Sequence, residues 1–149
     1  MNDIKLLEKS TREKAEKMLH FLDSEKIPYR VIETKRSESV QRAYYAQGRE
    51  TLAVVNIKRR SAGLAEITES ENKNKITWTL KSKHIEGRAL DVVPVIDGKI
   101  SWAITSKEIA AAYMRIGMIG EAAGLSWGGR WTPIDKFGIG KDAPHFEEA

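Results

Sequence analysis

The run RALDVVPVI, Arg88 to Ile96, has the length and β-branched content of a strand, yet it holds a carboxylate, Asp91, in its middle. Alternation across a strand puts Ala89, Asp91 and Val93 on one face, so Asp91 projects from a surface that is otherwise small and apolar. A carboxylate in such a place is costly without a partner. The compensating charge would come from a base such as Arg88 or from a metal ion. Asp97-Gly98 follows directly and marks a tight turn, with KISWAI as the return strand. ITWTL, beginning at Ile76, is a third β-rich run, and the three predict an antiparallel sheet.

Helical periods surround these runs. Ala15, Met18, Leu19 and Leu22 repeat at the spacing of one helical face, predicting a helix over about residues 3–26 that ends before Pro28. YRVIET then predicts a short strand, and ESVQRAYYAQGRE a helix broken at Gly48. Leu52, Val55 and Arg59 fall on one side of a further helix that stops near Gly63, whereas ESENKNK, polar and aperiodic, predicts a surface loop. Thr105 and Glu108 form a capping-box pattern, after which Ile109, Tyr113, Ile116 and Gly120 line one face as far as Gly124. LSWGG and HFEE predict short strands around a glycine-containing loop. Without a regular βαβ rhythm the class is α+β, with a small antiparallel sheet and helices mainly on one side of it. The length of 149 residues suits one domain, with a metal-site core over about residues 76–148.

Composition narrows the chemistry. Cysteine is absent, which excludes disulfides and thiolate metal sites, so a zinc ion would need His, Asp or Glu. No apolar run approaches the roughly 18 residues of a membrane span. The charged start, MNDIKLLEKSTREKAEKMLHF, has no continuous apolar segment of a secretory signal, so the expectation is a cytoplasmic chain with no stable membrane association. A net charge of +4 suits any polyanion. The basic clusters IKRR and ENKNK carry few aromatics, however, and read as solvated surface rather than a nucleic-acid interface.

Three histidines make the search for ligands short. A catalytic zinc takes three protein ligands and keeps one open position. His84 precedes Gly87, where the chain can turn sharply; Asp91 lies in the strand; His145 comes from a different element, in KDAPHFEEA. Spacing alone leaves each open to a plainer reading: a surface histidine, or an aspartate paired with Arg88. His20 lies in the first helix with no second ligand at helical spacing.

SKHIEGRALD resembles the Ser-x-His-x-x-Gly-x-Ala-x-Asp signature of the zinc D-alanyl-D-alanine carboxypeptidase and L-alanyl-D-glutamate endopeptidase family, VanY-like enzymes that share their fold with the hedgehog signalling domain. PHFE is similar to that family's closing His motif. YYAQGRE, ITW and LSWGGRW extend the resemblance over roughly Tyr29 to Glu147. The resemblance implies one Zn2+ per chain on His84, Asp91 and His145, with Asp142 as the acid/base that takes a proton from the attacking water and returns it to the leaving amine. It implies Arg49 as a fork for a substrate carboxylate, with Ser82 and Gln47 as further substrate contacts. Trp127 and Trp131 read as core and cleft wall. Around the last ligand the carboxypeptidase branches carry Glu-x-Trp-His, where this chain has Asp142-Ala143-Pro144-His145. That departure points to the endopeptidase branch of bacteriophage endolysins. The expected activity is hydrolysis of the L-alanyl-D-glutamate bond in peptidoglycan stem peptides, by a monomer that waits in the host cytoplasm for a holin. The alternatives are a D-alanyl-D-alanine carboxypeptidase, an inactive zinc-binding hedgehog-like module and a basic nucleic-acid binder.

Overall fold

A computed structural model describes residues 1–149. The chain divides into two compact units, Met1–Lys35 together with Glu86–Ala149, and Arg36–Ile85.

The first unit is built on one antiparallel sheet. Helix α1, Lys9–Ser24, opens where the Glu8 carboxylate accepts from the Ser10 and Thr11 amides, and it buries Thr11, Ala15, Met18 and Leu22. It starts later than its apolar period predicts, because Ile4–Leu6 forms a separate 3-10 turn capped by Asp3. Strand β1, Tyr29–Glu33, pairs with β2, Ala89–Ile96. On the other side β2 pairs with β5, His145–Glu147, and β5 with β4, Ser126–Trp127, so the order is β1-β2-β5-β4.

Asp97 and Gly98 both take positive φ, 52° and 77°, and return the chain into β3, Lys99–Ile100. This return strand is shorter than KISWAI predicts. Ser101 N–H still donates to Pro94 O at 3.1 Å, but Pro94 has no N–H to return, and the Ser101 carbonyl accepts from the Tyr113 hydroxyl at 2.6 Å.

Helix α5, Lys107–Ala122, is capped by Ser106, whose Oγ accepts from the Ile109 amide. The predicted cap, Thr105, lies one residue too early, so Glu108 falls in the second helical position and closes no capping box. On α5, a Cβ at Gly117 would come within 2.3 Å of the Trp127 ring, and one at Gly120 within 2.3 Å of the Phe146 ring. The two glycines therefore allow the helix to lie directly on β4 and β5. Leu90, Val92, Trp127 and Phe146 join the α1 and α5 side chains in one apolar core. Leu90 and Val92 thus face the helices, and alternation turns Asp91 to the opposite side of the sheet.

The second unit comprises α2, Glu38–Ala46, α3, Leu52–Ser61, and α4, Glu69–Asn72. The last lies where ESENKNK predicts a loop: Thr68 and Glu71 make a reciprocal capping box that nucleates one helical turn. ITWTL does not form a strand. Its polar groups bond to side chains instead, with the Gln41 amide donating to Thr79 O at 2.7 Å and Arg49 Nη1 to Thr77 O at 3.0 Å. Gly48, at φ +79°, ends α2 as predicted, and its N–H donates to Asn72 Oδ1. No helix of the chain is long and apolar enough to cross a membrane.

Candidate metal centre

Asp91 and His145 are direct partners in the β2–β5 ladder. Their side chains share the sheet face turned away from the helices, and Asp91 Oδ1 lies 3.4 Å from His145 Nδ1. His84 sits in the turn before β2, where its backbone N–H donates to Ser82 Oγ at 3.2 Å and its carbonyl accepts from the Arg36 amide at 2.8 Å. Gly87 completes the sharp reversal at φ +70°, with its carbonyl accepting from the Glu8 amide at 2.8 Å. A side chain there would press on the Glu8 and Leu6 backbone. Both histidines are almost wholly buried, His84 at 2% exposure and His145 at 8%. The structure brings the three predicted ligands together: one donor atom from each of His84, Asp91 and His145 lies within 4.8 Å of the others.

This donor set fits a zinc ion. Bonds of about 2.0–2.2 Å in a tetrahedron put neighbouring donors about 3.4 Å apart, which is the Asp91–His145 separation. Two imidazoles and one carboxylate suit zinc better than the all-oxygen shells of calcium or magnesium. The electrostatics agree. Burial disfavours a charged His145, but hydrogen bonding and charge from Asp91, then Asp142 and Glu147, outweigh it and hold the His145 pKa above its ordinary value. A place that retains a proton in this way is one where negative charge exceeds positive, and a dication answers the same field. Burial first, then the charges of Asp91 and Asp142, push the Tyr113 hydroxyl up as well, so it stays a donor to Ser101 O. The alternative partner for Asp91, Arg88, leans towards Glu86 instead, at 3.7 Å.

Asp142 stands one turn before His145, whose N–H donates to Asp142 O at 3.1 Å. Two features hold that turn. The buried Trp127 indole donates to Ala143 O at 2.7 Å, and Gly128 has no side chain where a Cβ would lie 2.2 Å from Asp142 O. Of the two glycines of WGGRW, Gly128 is thus required by close backbone approach to Asp142, and Gly129 by the Trp127 ring, which a Cβ there would meet at 2.1 Å. Trp127 belongs to the core, while the Trp131 ring lies 5.2 Å from that of His145 and forms a wall beside it.

The remaining predicted residues lie in the second unit. Arg49 stacks its guanidinium 3.8 Å above the Tyr45 ring, with Trp78 at 5.6 Å. Its Nη1 donates to Tyr45 O and Thr77 O, leaving the rest of the fork for another acceptor. Gln47 is buried, and its amide nitrogen donates to Glu71 O and Asn74 O, so only its oxygen remains for a substrate. Ser82 holds the backbone of His84. His20 is exposed on α1, beside Phe21. Glu147, which shares a face of an extended HFEE with His145 and is the reserve candidate for the general base should Asp142 not serve, places its Oε1 2.8 Å from His145 Nε2. The two-residue spacing on one strand is its signal in the sequence.

Residues 75–148 match the family model described as D-alanyl-D-alanine carboxypeptidase. No curated protein shows a significant match. Among solved structures, the chain is similar to the Serratia marcescens L-Ala D-Glu endopeptidase ChiX, with a TM-score of 0.58 and 22% identity over 98% of this chain and 83% of that one. It is similar to VanYB in complex with D-alanine-D-alanine, at TM-score 0.56 and 16% identity over 95% and 71%. A vancomycin resistance D,D-pentapeptidase, VanY, in complex with Zn(II) matches at TM-score 0.52 and 16% identity over 95% and 72%.

Proposed function

We propose that this chain, whose residues 75–148 match the D-alanyl-D-alanine carboxypeptidase family model, is a VanY-like zinc peptidase that hydrolyses the L-alanyl-D-glutamate bond of peptidoglycan stem peptides as a bacteriophage endolysin. The observation that carries the reading is the group His84, Asp91 and His145, with the carboxyl residue Asp142 one turn from the last of them. Zinc held there would supply a Lewis acid that polarises the scissile carbonyl and makes a nearby water more acidic. Asp142 accepts the proton of the attacking water. The water oxygen bonds to the L-alanyl carbonyl carbon, the C–N bond breaks, and Asp142 returns the proton to the D-glutamyl amine. Arg49 offers its fork to the free α-carboxylate of the D-glutamate, which is linked onward through its side chain. Ser82 and the Gln47 oxygen are secondary contacts to the peptide.

The Asp142-Ala143-Pro144-His145 pattern supports the endopeptidase branch over the carboxypeptidases, and the likeness to ChiX, an L-Ala D-Glu endopeptidase, supports the same choice. A lytic role adds that the chain acts as a monomer on the wall after a holin opens the host membrane. Purified muropeptides, digested with and without a chelator and read by mass spectrometry, test the activity. The expected products carry a new D-glutamyl N-terminus and appear only without chelator. Release of terminal D-alanine with the Ala-Glu bond intact would replace this reading with a D,D-carboxypeptidase.

A further inference from the structure

We propose that Glu147 is a positioning residue that fixes the tautomer and ring orientation of His145, so that Nδ1 rather than Nε2 faces the metal. The inference rests on the metal-site reading and is independent of which peptide bond is cut.

His145 and Glu147 stand two residues apart on β5 and share a face of the sheet. β5 is paired on both sides, with Glu147 opposite Ala89 of β2 and Ser126 of β4. This double pairing keeps the Glu147 backbone in register with the ligand. The two ring nitrogens of His145 face different carboxylates, Nδ1 towards Asp91 at 3.4 Å and Nε2 towards Glu147 at 2.8 Å. Only the first separation matches the spacing of two donors on one zinc, about 3.4 Å. The second is an ordinary hydrogen bond, shorter than two donors on one ion would stand. An imidazole ligand must present a lone pair to the metal, and the hydrogen bond at its other nitrogen decides which nitrogen that is. With Nε2–H donating to Glu147, the lone pair is left on Nδ1. The neighbouring Glu148 is committed elsewhere, to Ser10, Thr11 and Lys14 of α1. The two consecutive glutamates therefore divide their work, Glu148 on the helix side and Glu147 on the metal side.

The test measures zinc itself. Competition with a chromophoric chelator, without substrate, should show Glu147→Ala weakening zinc binding about 10- to 100-fold. Glu147→Gln keeps an acceptor oxygen and should lose clearly less. In the zinc-loaded parent protein, 15N chemical shifts of the His145 ring should show Nε2 protonated and Nδ1 bound to metal, which a merely structural glutamate would not determine. Metal on Nε2 would overturn the proposal. So would unchanged zinc affinity in Glu147→Ala, and if turnover were lost at the same time, Glu147 would be the general base instead. Circular dichroism of the variants distinguishes misfolding. Should Glu147→Ala fail to fold, the Gln variant and the parent ring shifts still decide the matter.

Discussion

Asp91 Oδ1 and His145 Nδ1 face each other at 3.4 Å across the β2–β5 pair. The relationship comes from register: a slip of one residue in either strand would turn one of them into the apolar core. Two candidate ligands that are distant in sequence are thus fixed by the ladder that builds the sheet, and His84 by the turn that leads into it.

His84→Ala, Asp91→Ala and His145→Ala should each lose bound zinc, because two remaining donors hold the ion poorly. Elemental analysis after dialysis reads the loss. His20→Ala, on the exposed side of α1, should retain a full equivalent, and full occupancy in all three ligand variants would contradict the site.

Asp142→Asn should fold and bind zinc yet lose roughly 10²-fold or more in turnover, since an amide cannot accept the water proton. Gly128→Ala should lower turnover with the acid still present, because its Cβ would lie 2.2 Å from Asp142 O and must displace that turn. Steady-state kinetics on a purified muropeptide, with zinc content measured alongside, separate these effects from metal loss.

Gly120→Ala should destabilise the fold even though alanine favours a helix interior by about 1 kcal/mol. The added Cβ would fall 2.3 Å from the Phe146 ring, and overpacking of this kind costs about 1–3 kcal/mol. Urea denaturation should show a lower midpoint. A midpoint at or above that of the parent would mean that α5 can lift from the sheet without cost.

Glu148 gives the stability a pH dependence. The hydrogen bond from Lys14, opposed by burial and aided by Thr11, the Lys14 charge and Ser10, holds its carboxyl below the ordinary 4.5. A carboxyl whose folded pKa is depressed adds stability that is present above its unfolded value and lost as pH falls through the folded one. Glu148→Gln should therefore lower Tm at pH 7, and the gap to the parent should close as the pH drops below about 4.5. Thermal melts across that range measure it, and an unchanged gap would remove Glu148 from the linkage.

Much of this was legible in the residues alone. The helical period of Ala15, Met18 and Leu22, the Asp97-Gly98 turn and a carboxylate inside RALDVVPVI depend on local sterics and solvation, which a linear pattern carries. The three candidate metal ligands stand out through the resemblance of SKHIEGRALD and PHFE to a zinc peptidase signature, since spacing alone leaves each open to a plainer reading. Tertiary structure decided the rest. ITWTL has the composition of a strand, but its carbonyls are taken by Gln41 and Arg49, donors that arrive from elsewhere in the fold. The KISWAI ladder thins to a single hydrogen bond at Ser101, whose N–H reaches Pro94 O, because Pro94 has no N–H to return and Tyr113 takes the Ser101 carbonyl. Glu147, the last residue of β5, meets His145, whereas Glu148, just past the strand, meets Thr11 of α1, and which of the two faces which partner is settled by what the fold packs on each side. A sequence specifies which groups can bond, but only the folded chain settles which partners come within reach, because that depends on register and on long-range packing.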